Sequence, residues 1–391
     1  MTTNDKTSGR HSPRILMFSQ RNIYEEQAVW RCTFHELEEL LQEIDSITLL
    51  APKPRKWYRN GKRAALRLGE HFTTPLNPGI TQVKLDRYYD LFLAVCEKPS
   101  ELLNLTAIKG WKDRCKTSVC WLSEFYVNWM ATHKSCLEVL SQFDHVLFMF
   151  NTSEPFQKII NNKGSYMAPG IDSIRFCPYP GPPARSIDVL SIGRRSEDTH
   201  QALLRMAQEQ NIFYVYDTIN GLGAYDLGQH RALLANMAKR SRYFIVNPGK
   251  INRPDETGGQ SEFGSRYFEG AASGAILIGE KPKRNKEYDK IFHWPDAVID
   301  LPFGSDEIGA IIKELDMQPE RQMKIRRTNI TQSLLHHDWA HRWDSILSMA
   351  GLTPLPALLE RKEKLKELAI RVEEQIAPQH MAINHSAMQI Q

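Results

Sequence analysis

Residues 261–279 read SEFGSRYFEGAASGAILIG and join a loop, a short helix and a buried strand without interruption. Glu262, Phe263 and Gly264 read as loop, 266–272 as helix, Ser273 and Gly274 as its stop, and 275–278 as an apolar strand between glycines. Polar groups therefore gather at a helix N-terminus. That end offers amide N–H groups without intrahelical acceptors and the positive pole of the helix dipole, which suit a phosphate or sugar hydroxyls. Glu269, farther along the helix, can accept hydrogen bonds from a diol. The same pattern also fits an ordinary tightly packed α/β crossover, so its surroundings decide.

Working back from this stretch, strands are predicted over 187–192, 212–216 and 243–246, with helices over 199–208 and 229–239 and a long loop over 247–260. Beyond it, 297–301 reads as a last strand and 320–335 as a long helix. The N-terminal half has the same rhythm. Short apolar runs at 14–18, 47–50, 91–96, 117–122 and 145–150 read as parallel strands covered on both faces, and 25–43 as an amphipathic helix after the first. Ligands of such sheets sit outside the carboxyl ends of the strands, where this half carries residues 20–22, Ser123 with Glu124, and 151–153. The proline-rich 178–183, PYPGPP, reads as a stiff linker between the halves.

A chain of 391 residues is long enough for two domains with separate cores, and 41% hydrophobic with 25% charged residues is ordinary soluble usage. This excludes a largely disordered or fibrous chain. A formal charge of +4 implies neither nucleic acid nor membrane by itself. The six cysteines fall in the N-terminal half without a CxxC or zinc-like spacing, so buried free thiols are expected. The polar residues 1–12 and the lack of a long apolar run predict neither signal peptide nor membrane span, hence a cytoplasmic protein.

Taken together, these stretches resemble the retaining GT-B glycosyltransferases of group 1, the family 4-like type. Phe263-Gly264, Glu269, Ala271-Ala272, Gly274 and 275–278 match the family's donor-sugar motif. The family has seven residues between its two glutamates, whereas six separate Glu262 from Glu269, and a gap-free match places Ser261 where the first glutamate belongs. Residues 168–178, APGIDSIRFCP, resemble the signature that closes the family's N-terminal half. Ser191-Ile192-Gly193-Arg194-Arg195 resembles its V-G-R turn, whose arginine pairs the donor's diphosphate; the accompanying lysine has no counterpart near Thr199 and His200, leaving Arg195 or Lys250 as substitutes. Residues 337–347 resemble the closing helix that crosses back onto the first domain.

The resemblance implies an α/β GT-B architecture of two Rossmann-like doubly wound domains facing across a cleft. The first covers 13–178 and is completed by 337–350, the second covers 184–336, and 352–391 forms an amphipathic helix and tail that packs on its own chain or on a partner. It implies transfer of a sugar from a nucleotide-sugar to a hydroxyl with retention, in polysaccharide or glycoconjugate synthesis, with no metal or other cofactor. Arg194, Glu262 and Glu124, which stands where the family often has a sugar-contacting histidine, become the candidate catalytic residues. Gly264, Ser265, Arg266, Tyr267, Glu269 and Arg195 become candidate nucleotide-sugar ligands. His133 is the nearest histidine and reads as part of the following helix.

One feature stands outside the motifs. Residues 53–67 carry Lys53, Arg55, Lys56, Arg59, Lys62, Arg63 and Arg67, interleaved with Trp57 and Tyr58, and no acid until Glu70. Such a run reads either as a solvated loop or as a contact for an anionic partner, most readily the inner face of a membrane that carries a lipid-linked acceptor; without an RNA-binding motif, nucleic acid is not expected. Two rivals to the enzyme remain: a catalytically silent GT-B-like nucleotide- or sugar-binding module, and a basic lipid- or RNA-binding protein centred on 53–67.

Overall fold

The computed structural model describes residues 13–23, 31–151, 153–157, 163–218, 224 and 226–375. The polar start, the beginning of the helix expected over 25–43 and the tail after 375 lie outside them. Strands follow as β1 (Ile15–Phe18), β2 (Ile47–Leu50), β3 (Val83–Lys84), β4 (Tyr89–Cys96), β5 (Ile108–Lys109), β6 (Cys115–Leu122), β7 (His145–Phe148), β8 (Gly164–Tyr166), β9 (Ile187–Ser191), β10 (Tyr214–Tyr216), β11 (Ser241–Val246), β12 (Ile276–Gly279) and β13 (Ile299–Asp300). Six of them form a parallel sheet in the order β2-β1-β4-β6-β7-β8, five form a second in the order β10-β9-β11-β12-β13, and β3 pairs with β5. Ile15 is in register with Ile47 on one side and Leu91 on the other, and Tyr243 with Ile276.

The near-continuous apolar strands follow from two-sided burial. In β1, Ile15 and Met17 join one core while Leu16 and Phe18 join the other. In the second sheet Leu190, Phe244 and Leu277 face one layer, and Val189, Tyr243 and Ile276 the opposite one. All six cysteines are buried and unpaired by disulfides.

Helix α1 (Cys32–Ile44) buries Leu37, Leu40 and Leu41 beneath the first sheet. The Trp339–Met349 and Pro356–Gln375 helices join the same core through Trp339, Trp343, Leu358 and Leu365. The indole N–H of Trp339 donates to Glu36 Oε1 at 3.0 Å and that of Trp343 to Asp45 Oδ2 at 2.9 Å, which orients both rings. Ile171 bridges Asp338: its N–H donates to His337 O at 2.9 Å, and Trp339 N–H donates to Ile171 O at 3.1 Å.

Two local results differ from the sequence reading. Much of the basic run is helix α2 (Tyr58–His71), whose Ala65 and Gly69 turn inward. His133 caps the Lys134–Leu140 helix rather than lying within it; its Nδ1 lies 2.9 Å from Trp129 O, and burial lowers its pKa. Among the described residues, no helix is long and apolar enough to cross a membrane.

Candidate functional site

Each sheet reverses its strand order once: between β1 and β4 in the first, and between β9 and β11 in the second. Crevices open outside the carboxyl ends of strands at such points. In the second sheet, 192–195 leave β9 and the loop 247–264 leaves β11. Arg194 is exposed, and its Nη1 donates to Asn252 Oδ1 at 2.8 Å, while Asn247 Nδ2 donates to Arg194 O at 3.4 Å. Arg195 turns to Asp217, 3.0 Å from Oδ1, and stacks its guanidinium on the Tyr216 ring.

The Ser265–Ala272 helix starts beside this turn, with Gly264 as its N-cap in extended conformation. Arg266 Nε reaches back to donate to Ile192 O at 3.2 Å, so the helix N-terminus and the β9 exit share one wall. Gly270 lets the helix lie close on the sheet: a Cβ there would stand 2.4 Å from Leu277 Cδ2 and 2.7 Å from Phe244 Cδ1. Tyr267 points into the core, where its hydroxyl donates to Glu280 O at 2.5 Å and burial raises its pKa.

Glu269 is fully buried, one carboxylate oxygen held by Arg231 and the other by Arg266. Burial works to raise its pKa, but the two guanidinium groups outweigh it and hold the carboxyl below its usual range. Arg231 also donates to Glu36 Oε2 at 2.8 Å, and its ring-facing side lies over Phe176. A buried ionic chain thus runs from α1, through the Leu227–Lys239 helix, to the helix of the motif. Sequence reading missed Glu36 and Arg231 because their partners lie 195 and 38 positions away.

Across the gap stand the exits of β6 and β7. Lys250, in a left-handed backbone conformation, places Nζ 3.1 Å from Glu124 and 3.3 Å from Glu256, over the rings of Trp129 and Tyr126. Glu262 is fully buried and accepts from Asn151 N–H at 2.9 Å, Gln260 Nε2 at 2.5 Å and Asn285 Nδ2 at 3.1 Å. Burial raises its pKa to about 7 against the opposing pull of these three donors. The same loop is tied across by Trp129 Nε1 donating to Glu256 O at 2.9 Å and Val127 N–H donating to Gln260 Oε1 at 3.2 Å. The Tyr126 hydroxyl is buried here without a hydrogen-bond partner among the described residues. Arg194, Gly264, Ser265 and Arg266 therefore share the second-sheet wall, Glu124 and Glu262 sit where the halves meet, and Glu269, Tyr267 and Arg195 are already engaged within the protein.

At the first-sheet reversal the structure adds a residue that the sequence reading passed over. Glu97 leaves β4 next to Glu101, which pairs with Arg31 at 3.2 Å, and burial first, then the neighbouring Glu101 charge, raises the Glu97 pKa well above its ordinary value. Its position directly after an apolar strand was the available signal.

Residues 223–348 match a family model described as glycosyl transferase-like. No curated protein matches the chain. Among solved structures, an α,α-trehalose-phosphate synthase (UDP-forming) from Burkholderia vietnamiensis is similar at 9% identity and TM-score 0.52, covering 87% of this chain and 98% of that one. An alpha-glucosyltransferase in complex with UDP-glucose and DNA containing an abasic site is similar at 13% identity and TM-score 0.51, covering 87% and 100%. Both are GT-B proteins, and the likeness extends over both sheets. The chain has the GT-B fold, and its residues 223–348 match a glycosyl transferase-like family model.

Proposed function

We propose that this protein is a glycosyltransferase of the group 1, family 4-like type, moving a sugar from a nucleotide-sugar to a hydroxyl with retention. The observation that carries the reading is the shared wall of Arg194 and the Ser265–Ala272 helix N-terminus at the second-sheet reversal, inside a region that matches the glycosyl transferase-like family except for Arg194 itself. The hard step of such a transfer is departure of a nucleoside diphosphate. Arg194 and the first-turn amides at Gly264, Ser265 and Arg266 would meet the developing charge, so the reading needs no resident metal. Glu269, fixed by Arg231 and Arg266, would either take the ribose after a shift of Arg266 or hold that arginine toward the phosphates. Arg195 and Tyr267 would support the wall from behind.

Uridine diphosphate is the proposed leaving group, since two solved proteins of this fold are described with UDP-glucose or as UDP-forming. The two domains would divide at the 178–183 linker, with the acceptor hydroxyl, on a saccharide or a lipid-linked molecule, entering from the first-sheet side near Glu97 and Glu124. Buried free thiols suit a reducing, cytoplasmic setting, and the product would serve polysaccharide or glycoconjugate synthesis. A silent nucleotide-binding module is the second reading, favoured by the engagement of both Glu269 oxygens.

Calorimetric titration with UDP, GDP and ADP, followed by a hydrolysis assay on the sugar nucleotides of whichever binds, tests both. Binding of UDP with slow release of sugar from one UDP-sugar is expected. Binding without any turnover would leave the silent module, and no nucleotide binding by folded protein would overturn both readings.

A further inference from the structure

Helix α2 and its lead-in carry five exposed cations that lack a counter-charge among the described residues. Arg59, Arg63 and Arg67 recur every fourth residue and so form one exposed strip, with exposed Arg55 and Lys56 just before the helix. Among the described residues none of the five is in an ion pair, and Glu70 is the only acid of the helix. Beside that strip, Ala64 and Leu68 are exposed on the next one. Trp57 leads into the helix with its ring against Gly61 and Gly79, where a Cβ would stand 2.4 Å and 2.9 Å from ring atoms, yet 49% of the residue is exposed. Leu68 is 45%, Phe72 64% and Leu76 41% exposed.

The opposite face is firmly seated. Tyr58 donates to Asn104 Oδ1 at 3.2 Å, and Gly69 lies so close to Ser135 that a Cβ would stand 2.1 Å from its Oγ. The helix therefore presents a fixed surface of cations flanked by apolar side chains. It follows β2, and so rises from the same edge of the parallel sheet as Glu97 and Glu124.

We propose that α2 and its lead-in dock this protein on an anionic lipid surface, the arginines on headgroup phosphates and Trp57 and Leu68 within the headgroup layer. A nucleic acid would use the cations and leave the exposed Trp57, Leu68, Phe72 and Leu76 in water; a bilayer interface takes both. Docking by this face sets the acceptor side of the cleft next to the membrane. Only that purpose rests on the glycosyltransferase reading, because the surface itself does not depend on it.

Flotation of the full chain with phosphatidylcholine vesicles, with or without phosphatidylglycerol, is the test. Binding that requires phosphatidylglycerol and fades with salt is expected, and joint Arg59→Glu, Arg63→Glu and Arg67→Glu should weaken it roughly a hundredfold, three contacts of about fivefold each. Trp57→Ala, which leaves the charge intact, should weaken it severalfold and serves if the triple variant fails to fold. UDP titration of each variant separates a lost surface from a lost donor site. Failure of the parent to float at low salt overturns the proposal, and so does salt-sensitive binding of an oligonucleotide by protein that ignores the vesicles.

Discussion

Arg194 and Glu262 show how differently two ionisable side chains of the site can be held. Arg194 is exposed with its guanidinium on Asn252, so it is free to exchange a neutral partner for phosphate oxygens. Arg194→Ala should therefore cost about 1.5–3 kcal/mol in UDP affinity, the range for a charge-assisted hydrogen bond, and leave uridine affinity unchanged. Parallel calorimetric titrations measure both, and equal losses would place the arginine in a structural role. Glu262 is the opposite case: buried, with its pKa raised from 4.5 to about 7 by burial, its three donors notwithstanding. Between those values the folded protein keeps a proton that the unfolded chain has released. Stability consequently falls as pH rises through that window, by a total of about 3 kcal/mol, and levels off above it. Glu262→Gln has no proton to lose and should abolish that slope in urea midpoints measured from about pH 5 to about pH 8, whatever its absolute stability. A slope that persists in the variant would belong to another carboxyl, of which half-buried Glu97, with its Oε2 enclosed, is the candidate.

The Ser265–Ala272 helix is the element on which the donor wall depends, and its position is set by absent side chains. Gly270→Ala would drive a methyl group against Leu277 and Phe244, and overpacking of this kind costs about 1–3 kcal/mol. Because the helix N-terminus moves with its body, the same variant should lose UDP affinity as well as denaturant stability; a stability loss with parental affinity would detach the helix from the site. This helix and its strand were legible in the sequence to within a residue, since Gly274 at φ +68 marks the stop and 275–278 is uniformly apolar. So were most strands of both sheets, for the same reason of two-sided burial. β8 was not, because Gly-Ser-Tyr is too short and polar to carry a period. Nor was the fate of Glu269: a spacing pattern places it on the right helix face but is blind to Glu36 and Arg231, which arrive from distant helices. The helical character of residues 58–71 was masked by charge, since the arginine strip that faces solvent outweighs the short inward side formed by Ala65 and Gly69.

At the scale of the whole molecule the two sheets are joined by more than their linker. Glu36 with Arg231, Glu124 with Lys250 and Asn151 with Glu262 each pair one half with the other, and the Pro356–Gln375 helix lays Leu358, Leu365 and Val372 into the core that α1 and Trp343 share. Of the two destinations open to that helix on sequence, its own chain is the one it takes. Interlocked ion pairs and a shared core couple the halves, so the chain should unfold in one transition even though it has two sheets. Leu365 is fully buried at the centre of the terminal helix, and Leu365→Ala should lower stability by about 2–5 kcal/mol, the usual cost of a large-to-small change in a packed core. The loss should appear in both halves together: tryptophan fluorescence, with Trp121 and Trp339 in the first core and Trp294 in the second, should shift at the same denaturant concentration as far-UV circular dichroism. UDP at about 100 times its dissociation constant should then raise the single transition of parent and variant alike by about 2.7 kcal/mol. Two separated transitions, with only the earlier one moved by Leu365→Ala and only the later one by UDP, would show the halves to be energetically independent and would remove the cross-domain pairs from any role in transmitting donor binding to the acceptor side.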